Sequence, residues 1–255
     1  MQTPHSRLTL AAAFAIGILC SASAHAMPQY VTVDRSVDSQ GIVEDTTIPD
    51  TDSWLDGASS NATFGNFTDV AFGNASIQTA TAIGNANQNT DINGGYISGN
   101  GSSFDVSVES SFPATGNTQN LSSFQAVFNL TQDHFYNLTG FLSSLTSETG
   151  SALATGLAEF LLQDAALNTI LSFSTDVDPS PVNLNSSGLL TSGQYTMTVF
   201  AQADVESGPA TGFGISASTF DFDMVMTVPE PATILLLSTG LLGLVGITRR
   251  RDKRA

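Results

Sequence analysis

Three pairs of carboxylates spaced two residues apart carry the clearest chemical potential in this chain: Asp50 and Asp52, Asp176 and Asp178, and Asp221 and Asp223. On an extended backbone residues i and i+2 face the same side, so each pair offers hard oxygen ligands to a calcium ion. Asp176 and Asp178, in a loop beside Pro179 and Pro181, are the best calcium candidates. Asp221 and Asp223 read more simply as the wet face of a strand. No Asp-x-Asp-x-Asp-Gly loop occurs, so solvated acids are the plainer reading of all three pairs, and no cofactor is expected. Trp54, the single tryptophan, lies between Asp52 and Asp56. An aromatic ring among acids and hydroxyls can stack on a sugar, and its plainer role is to cover the end of a β-sandwich. Nucleophilic catalysis lacks its parts. The only cysteine is Cys20, no Gly-x-Ser-x-Gly occurs, and His134 after Asp133 reads as a solvent-exposed turn histidine. The expectation is a non-enzymatic protein, with a carboxylate pair for glycoside hydrolysis left for the tertiary structure to decide.

The elements that must position these residues are strands. Residues 27–60 are acidic and loop-like, with a strand start at Tyr30-Val31-Thr32-Val33. Phe64-Gly65-Asn66, Phe72-Gly73-Asn74 and Ile83-Gly84-Asn85 then form an irregular echo, read as short strands cut by tight turns. Asn93-Gly94-Gly95 and Gly99-Asn100-Gly101 are further turn signals. Phe104, Val106 and Val108 alternate with Asp105, Ser107 and Glu109, the period of a half-buried strand. Residues 124–130 and 135–142 are expected to pair as a hairpin, and so are 156–162 and 169–173. Tyr195, Met197 and Val199 share one face of a later strand, and Phe220, Phe222, Met224 and Met226 share one face of the last. Seven or more strands, no convincing helix and frequent turn residues predict an all-β fold, a β-sandwich or jelly roll over residues 61–228.

Charge narrows the partners. Between residues 27 and 228 the only base is Arg35, set against 21 carboxylates, a net −20. Such a surface repels phosphate backbones, which excludes nucleic acid, and it repels anionic membranes and anionic polysaccharides unless divalent cations bridge them.

Both ends read as addresses. Residues 1–26 have the layout of a signal peptide, with an apolar stretch at 8–20 and a small-x-small site at Ala24-His25-Ala26 for signal peptidase. At the other end Val228-Pro229-Glu230-Pro231 precedes an uncharged apolar run, residues 232–248, and then Arg249-Arg250-Arg251. Seventeen residues of helix rise about 25 Å, at the short end of a membrane span. The arginines hold their end in the cytoplasm and leave the body outside. Each proline biases the residue before it to extended, accessible backbone, as a processing site requires.

This tripartite tail resembles the PEP-CTERM sorting signal of bacterial surface proteins. The resemblance implies processing by exosortase, a membrane-embedded enzyme that removes the anchor, in bacteria that make extracellular polysaccharide. The expected protein is therefore exported, held in the membrane as a precursor, and then placed at the cell surface or secreted. It would associate with exopolysaccharide and biofilm, and the rival reading is a calcium-dependent, lectin-like carbohydrate-binding module.

Overall fold

Period-two alternation of buried and exposed residues runs through nearly the whole body, and it produces strands rather than turns. The computed structural model describes residues 27–45, 47, 50–109, 114–176 and 181–229, and all of its regular elements are β. They are β1 (Gln29–Asp45), β2 (Asp50–Ser60), β3 (Gly65–Ser76), β4 (Ala80–Asn93), β5 (Tyr96–Glu109), β6 (Ala114–Leu130), β7 (His134–Asp164), β8 (Thr169–Ser174), β9 (Val182–Leu190) and β10 (Gly193–Thr227). The proposed signal peptide and the apolar run at 232–248 lie outside the described residues.

Two strands, β7 and β10, are long enough to serve two layers. The β7–β10 register breaks between Ser207 and Gly212, opposite Ala152 and Gly150, where Gly150 has φ +70°. Gly150 takes a conformation that a side chain would strain. On one side of this corner the order is β2-β1-β6-β10-β7-β8, and on the other it is β3-β4-β5-β10-β7-β9. The two sheets face each other, with β1 packed on β3 and β4, and β6 on β4 and β5. The all-β sandwich expected from the sequence is what forms.

The interior changes character across its width. Under β7 and β10 it holds Phe124, Phe128, Phe160, Phe220, Phe222 and their aliphatic neighbours. Each ring buried there contributes about 1.5–3 kcal/mol. Under β1, β3 and β4 it narrows to Val37, Ala71 and Ala86, and to Val43, Ala75, Ala80, Ala82 and Ala114.

Several expectations are corrected by this packing. Residues 27–60 are not loop-rich: β1 and β2 pair in register from Arg35–Ser60 to Asp45–Asp50, and Val33 belongs to the main core. The segments 124–130 and 135–142 do not form a hairpin, since β6 pairs β1 and β10 while β7 begins in the opposite sheet. The 156–162 and 169–173 segments do pair, with Phe160 opposite Phe173.

Most Gly-Asn steps are not turns either. Gly65 at the start of β3 (φ +86°) and Gly94 of the Asn93-Gly94 step between β4 and β5 (φ +60°) do take turn conformations. Gly99 and Gly101 lie inside β5, because a Cβ there would stand 2.8 Å from the Phe222 ring and 2.5 Å from the Phe220 ring. These glycines make room for aromatics from β10.

Candidate functional site

A depression of about 480 Å³ opens on the outer face of the β2-β1-β6-β10-β7-β8 sheet. Strand register builds it from two rows. Gln40, Gln119, Asp204 and Thr155 stand side by side on β1, β6, β10 and β7, and Ile42, Asn117, Glu206 and Leu153 form the next row. Amides, a hydroxyl and two carboxylates thus flank two aliphatic side chains. Gln40 Nε2 donates to Gln119 Oε1 at 2.7 Å, and Gln202 Nε2 donates to Asp204 Oδ2 at 2.7 Å. Burial pushes the Asp204 carboxyl up, while hydrogen bonds from Gln202, Gln119 and Thr155 pull it back. Hydroxyl-rich ligands need this mixture: donors and acceptors for the hydroxyls, apolar surface for the C–H faces.

Trp54 lines one end of the depression, yet its ring is committed to packing. Its Nε1 donates to Ser39 Oγ at 2.9 Å, inside the sandwich. A Cβ on Gly41 would lie 2.1 Å from the indole, and one on Gly73 would lie 1.6 Å from it. The ring is therefore a wedge between β1 and β3, joined to the alanine-lined cluster. Asp52 and Asp56 close the same edge, accepting the backbone N–H of Ser76 at 2.9 Å and of Phe72 at 3.0 Å. These side chains occupy donors on β3 that would otherwise template another strand.

The other candidates scatter. Asp176 is exposed and Asp178 lies outside the described residues; among the described residues no group of three or more metal-ligand side chains occurs. His134 is buried, contrary to expectation, with Nδ1 2.8 Å from the Gln132 carbonyl. Arg35 is also fully buried, so the described surface carries no lysine or arginine at all.

Sequence reasoning missed a buried acid seam. Asp105 and Glu109 point inward on β5, with Asn120 Nδ2 donating to Asp105 Oδ1 and Ser107 meeting Ser207 at 2.8 Å. Burial raises the Asp105 carboxyl to about 8 and the Glu109 carboxyl to about 7. The Asp204 charge also raises Asp105, linking seam and depression through the sheet.

The tail begins where the sandwich ends. β10 stops at Thr227, and Val228 and Pro229 leave it half-buried; proline has no N–H to extend the ladder. Residues 227–251 match the family model described as the PEP-CTERM protein-sorting motif. The chain carries a PEP-CTERM sorting signal. No curated protein matches the chain. The PEP-CTERM motif indicates an exported protein sorted by exosortase, with anchoring and processing at its C-terminus. The match begins at Thr227, the last residue of β10. Glu230, Pro231, Arg249, Arg250 and Arg251 fall within the match and outside the described residues, as do Ala24 and Ala26 of the proposed signal-peptidase site.

Proposed function

We propose that the mature body is a non-enzymatic matrix protein that holds neutral extracellular polysaccharide after exosortase has released it from the membrane. The observation that carries this reading is the depression of amides, carboxylates and aliphatic groups on a surface with no exposed base. Uronates and phosphates are repelled by a body of net charge −20, whereas uncharged sugars meet no such repulsion. Export, which the PEP-CTERM tail indicates, supports a role among such polymers.

Retardation in native gels cast with dextran, hydroxyethylcellulose or galactomannan tests the reading. The protein should be slowed by at least one of them, and Gln40→Ala with Glu206→Ala should weaken that binding roughly tenfold, the loss of one or two net hydrogen bonds. Mobility unchanged by every polymer would refute it. Binding abolished by a chelator would instead favour the calcium-dependent lectin. One observation supports a hydrolase: Asp204 and Glu206 share the depression. Release of reducing ends from the retained polymer would establish that alternative.

Processing has its own measurement. The intact mass of the exported protein from its host should lack residues 234–255 and start near Met27. A mass that still includes residues 234–255 contradicts exosortase release.

A further inference from the structure

We infer that the body is bivalent: the outer face of the second sheet is another glycan platform, so one molecule bridges two polysaccharide chains. This inference builds on the glycan-binding role proposed above.

The starting observation is an inverted strand. In β5 the carboxylates Asp105 and Glu109 are buried, while Phe104 and Val108 are 39% and 40% exposed. Register leaves no choice, because Ile97, Gly99 and Gly101 must sit under Phe222 and Phe220, and period two then carries 103, 105, 107 and 109 inward. The apolar residues are left outside, where they forgo the burial energy that a core face would supply. Phe72 of β3 stands on the same face, 57% exposed, with Asn85 of β4 between it and Phe104. Two exposed rings thus lie two strands apart, about 10 Å, in one row.

The rows beside them are polar. Asn87 Nδ2 donates to Ser102 Oγ at 2.6 Å, and Thr68 Oγ1 donates to Asn89 Oδ1 at 3.1 Å. Asn89, Asn100 and Asp221 stand opposite one another on β4, β5 and β10, in a hollow of about 310 Å³. At its far end the Tyr96 hydroxyl donates to Asp223 Oδ1 at 2.6 Å. The face therefore grades from stacking surface to amide, hydroxyl and carboxylate, which suits a sugar chain lying along β4.

Charge selects the occupant. A second copy of this body also carries net −20 and would be repelled, as would an anionic polymer. A neutral glycan pays no such cost. The two platforms lie on opposite outer faces of the sandwich, so a single polymer segment does not span both at once. Two chains held by one body form a cross-link, and multivalent cross-links strengthen a network beyond either single affinity.

The test uses the exported protein purified from its host and whichever of the three neutral polymers retards it. Variants are Gln40→Ala with Glu206→Ala on the first face, and Phe72→Ala with Phe104→Ala on the second. A further second-face variant, Asn89→Ala with Asn100→Ala, alters only exposed polar groups and guards against misfolding. Gel retardation reports binding, and the viscosity of a semi-dilute polymer solution reports bridging. Each single-face variant should keep binding, about tenfold weaker, and lose the viscosity rise. The variant altered on both faces should lose retardation as well. The inference is overturned if both second-face variants raise viscosity like the unaltered protein, or if the first-face variant alone abolishes retardation. It is also overturned if viscosity rises through self-association, seen as a dimer by light scattering without polymer. Absence of retardation for the unaltered protein defeats the glycan-binding role itself.

Discussion

Unfolding at pH 5 should require distinctly more urea than unfolding at pH 8, because Asp105 is folded into a site that favours its neutral form. Its carboxyl rises from 3.8 to about 8, first through burial and then through the nearby Asp204 charge, against bonds from Thr118 and Asn120. Between those values the unfolded chain has released the proton while the folded chain keeps it. The folded state then binds more protons, so stability falls as pH rises across this window and levels off above about 8. Below pH 4 both states are protonated and the penalty vanishes. Four pKa units correspond to on the order of 5 kcal/mol, a large share of a typical domain's stability. Glu109, raised to about 7, acts in the same direction over a shorter range. Asp105→Asn keeps an acceptor for Asn120 and has no proton to lose. Its urea midpoint at pH 8 should exceed that of the unaltered protein, and the two should converge near pH 4. Equal midpoints at pH 5 and 8, or a pH profile untouched by Asp105→Asn, would refute the buried acid.

Gly73→Ala should be nearly as damaging as removing the tryptophan it faces. The new Cβ would fall 1.6 Å from the indole Cδ1, so the ring must leave its slot between β1 and β3. Leaving forfeits the bond to Ser39 Oγ and opens a gap beside Val43, Ala75 and Ala80. Tryptophan-to-alanine changes in cores cost about 3–5 kcal/mol, and a half-buried ring belongs at the lower end, about 3 kcal/mol. Both Trp54→Ala and Gly73→Ala should therefore lower the urea midpoint by similar amounts. Because Trp54 is the only tryptophan, its fluorescence reports the ring directly. Emission in Gly73→Ala should shift red as the indole enters water. An unshifted spectrum with an unchanged midpoint would show that the slot has slack, and the wedge would be wrong.

The same glycine shows why local reading failed where it did. Gly73, Gly84, Gly99 and Gly101 look like turn residues, since glycine before or after asparagine often marks one. In the fold they sit mid-strand, where Trp54, Asn120, Phe222 and Phe220 need the space of a missing side chain. Their partners are contributed by distant segments, so nothing within a short window announces them. Asp105 is a parallel case. Its alternation with Phe104 and Val106 was legible, but the choice of inner face was set by Ile97 and the glycines further up β5. The depression on the first sheet was equally hidden, because Gln40, Gln119, Asp204 and Thr155 meet only through register across four strands.

By itself the sequence determined the all-β class, the acidity of the body and the PEP-CTERM tail. Those properties follow from composition, from period two, and from a contiguous motif whose parts act in order. The tertiary structure decided which face of each strand lies inside, which glycines make room for aromatics, and which polar side chains share a depression. These depend on pairing between residues far apart in the chain, and a one-residue change of register would reverse every one of them.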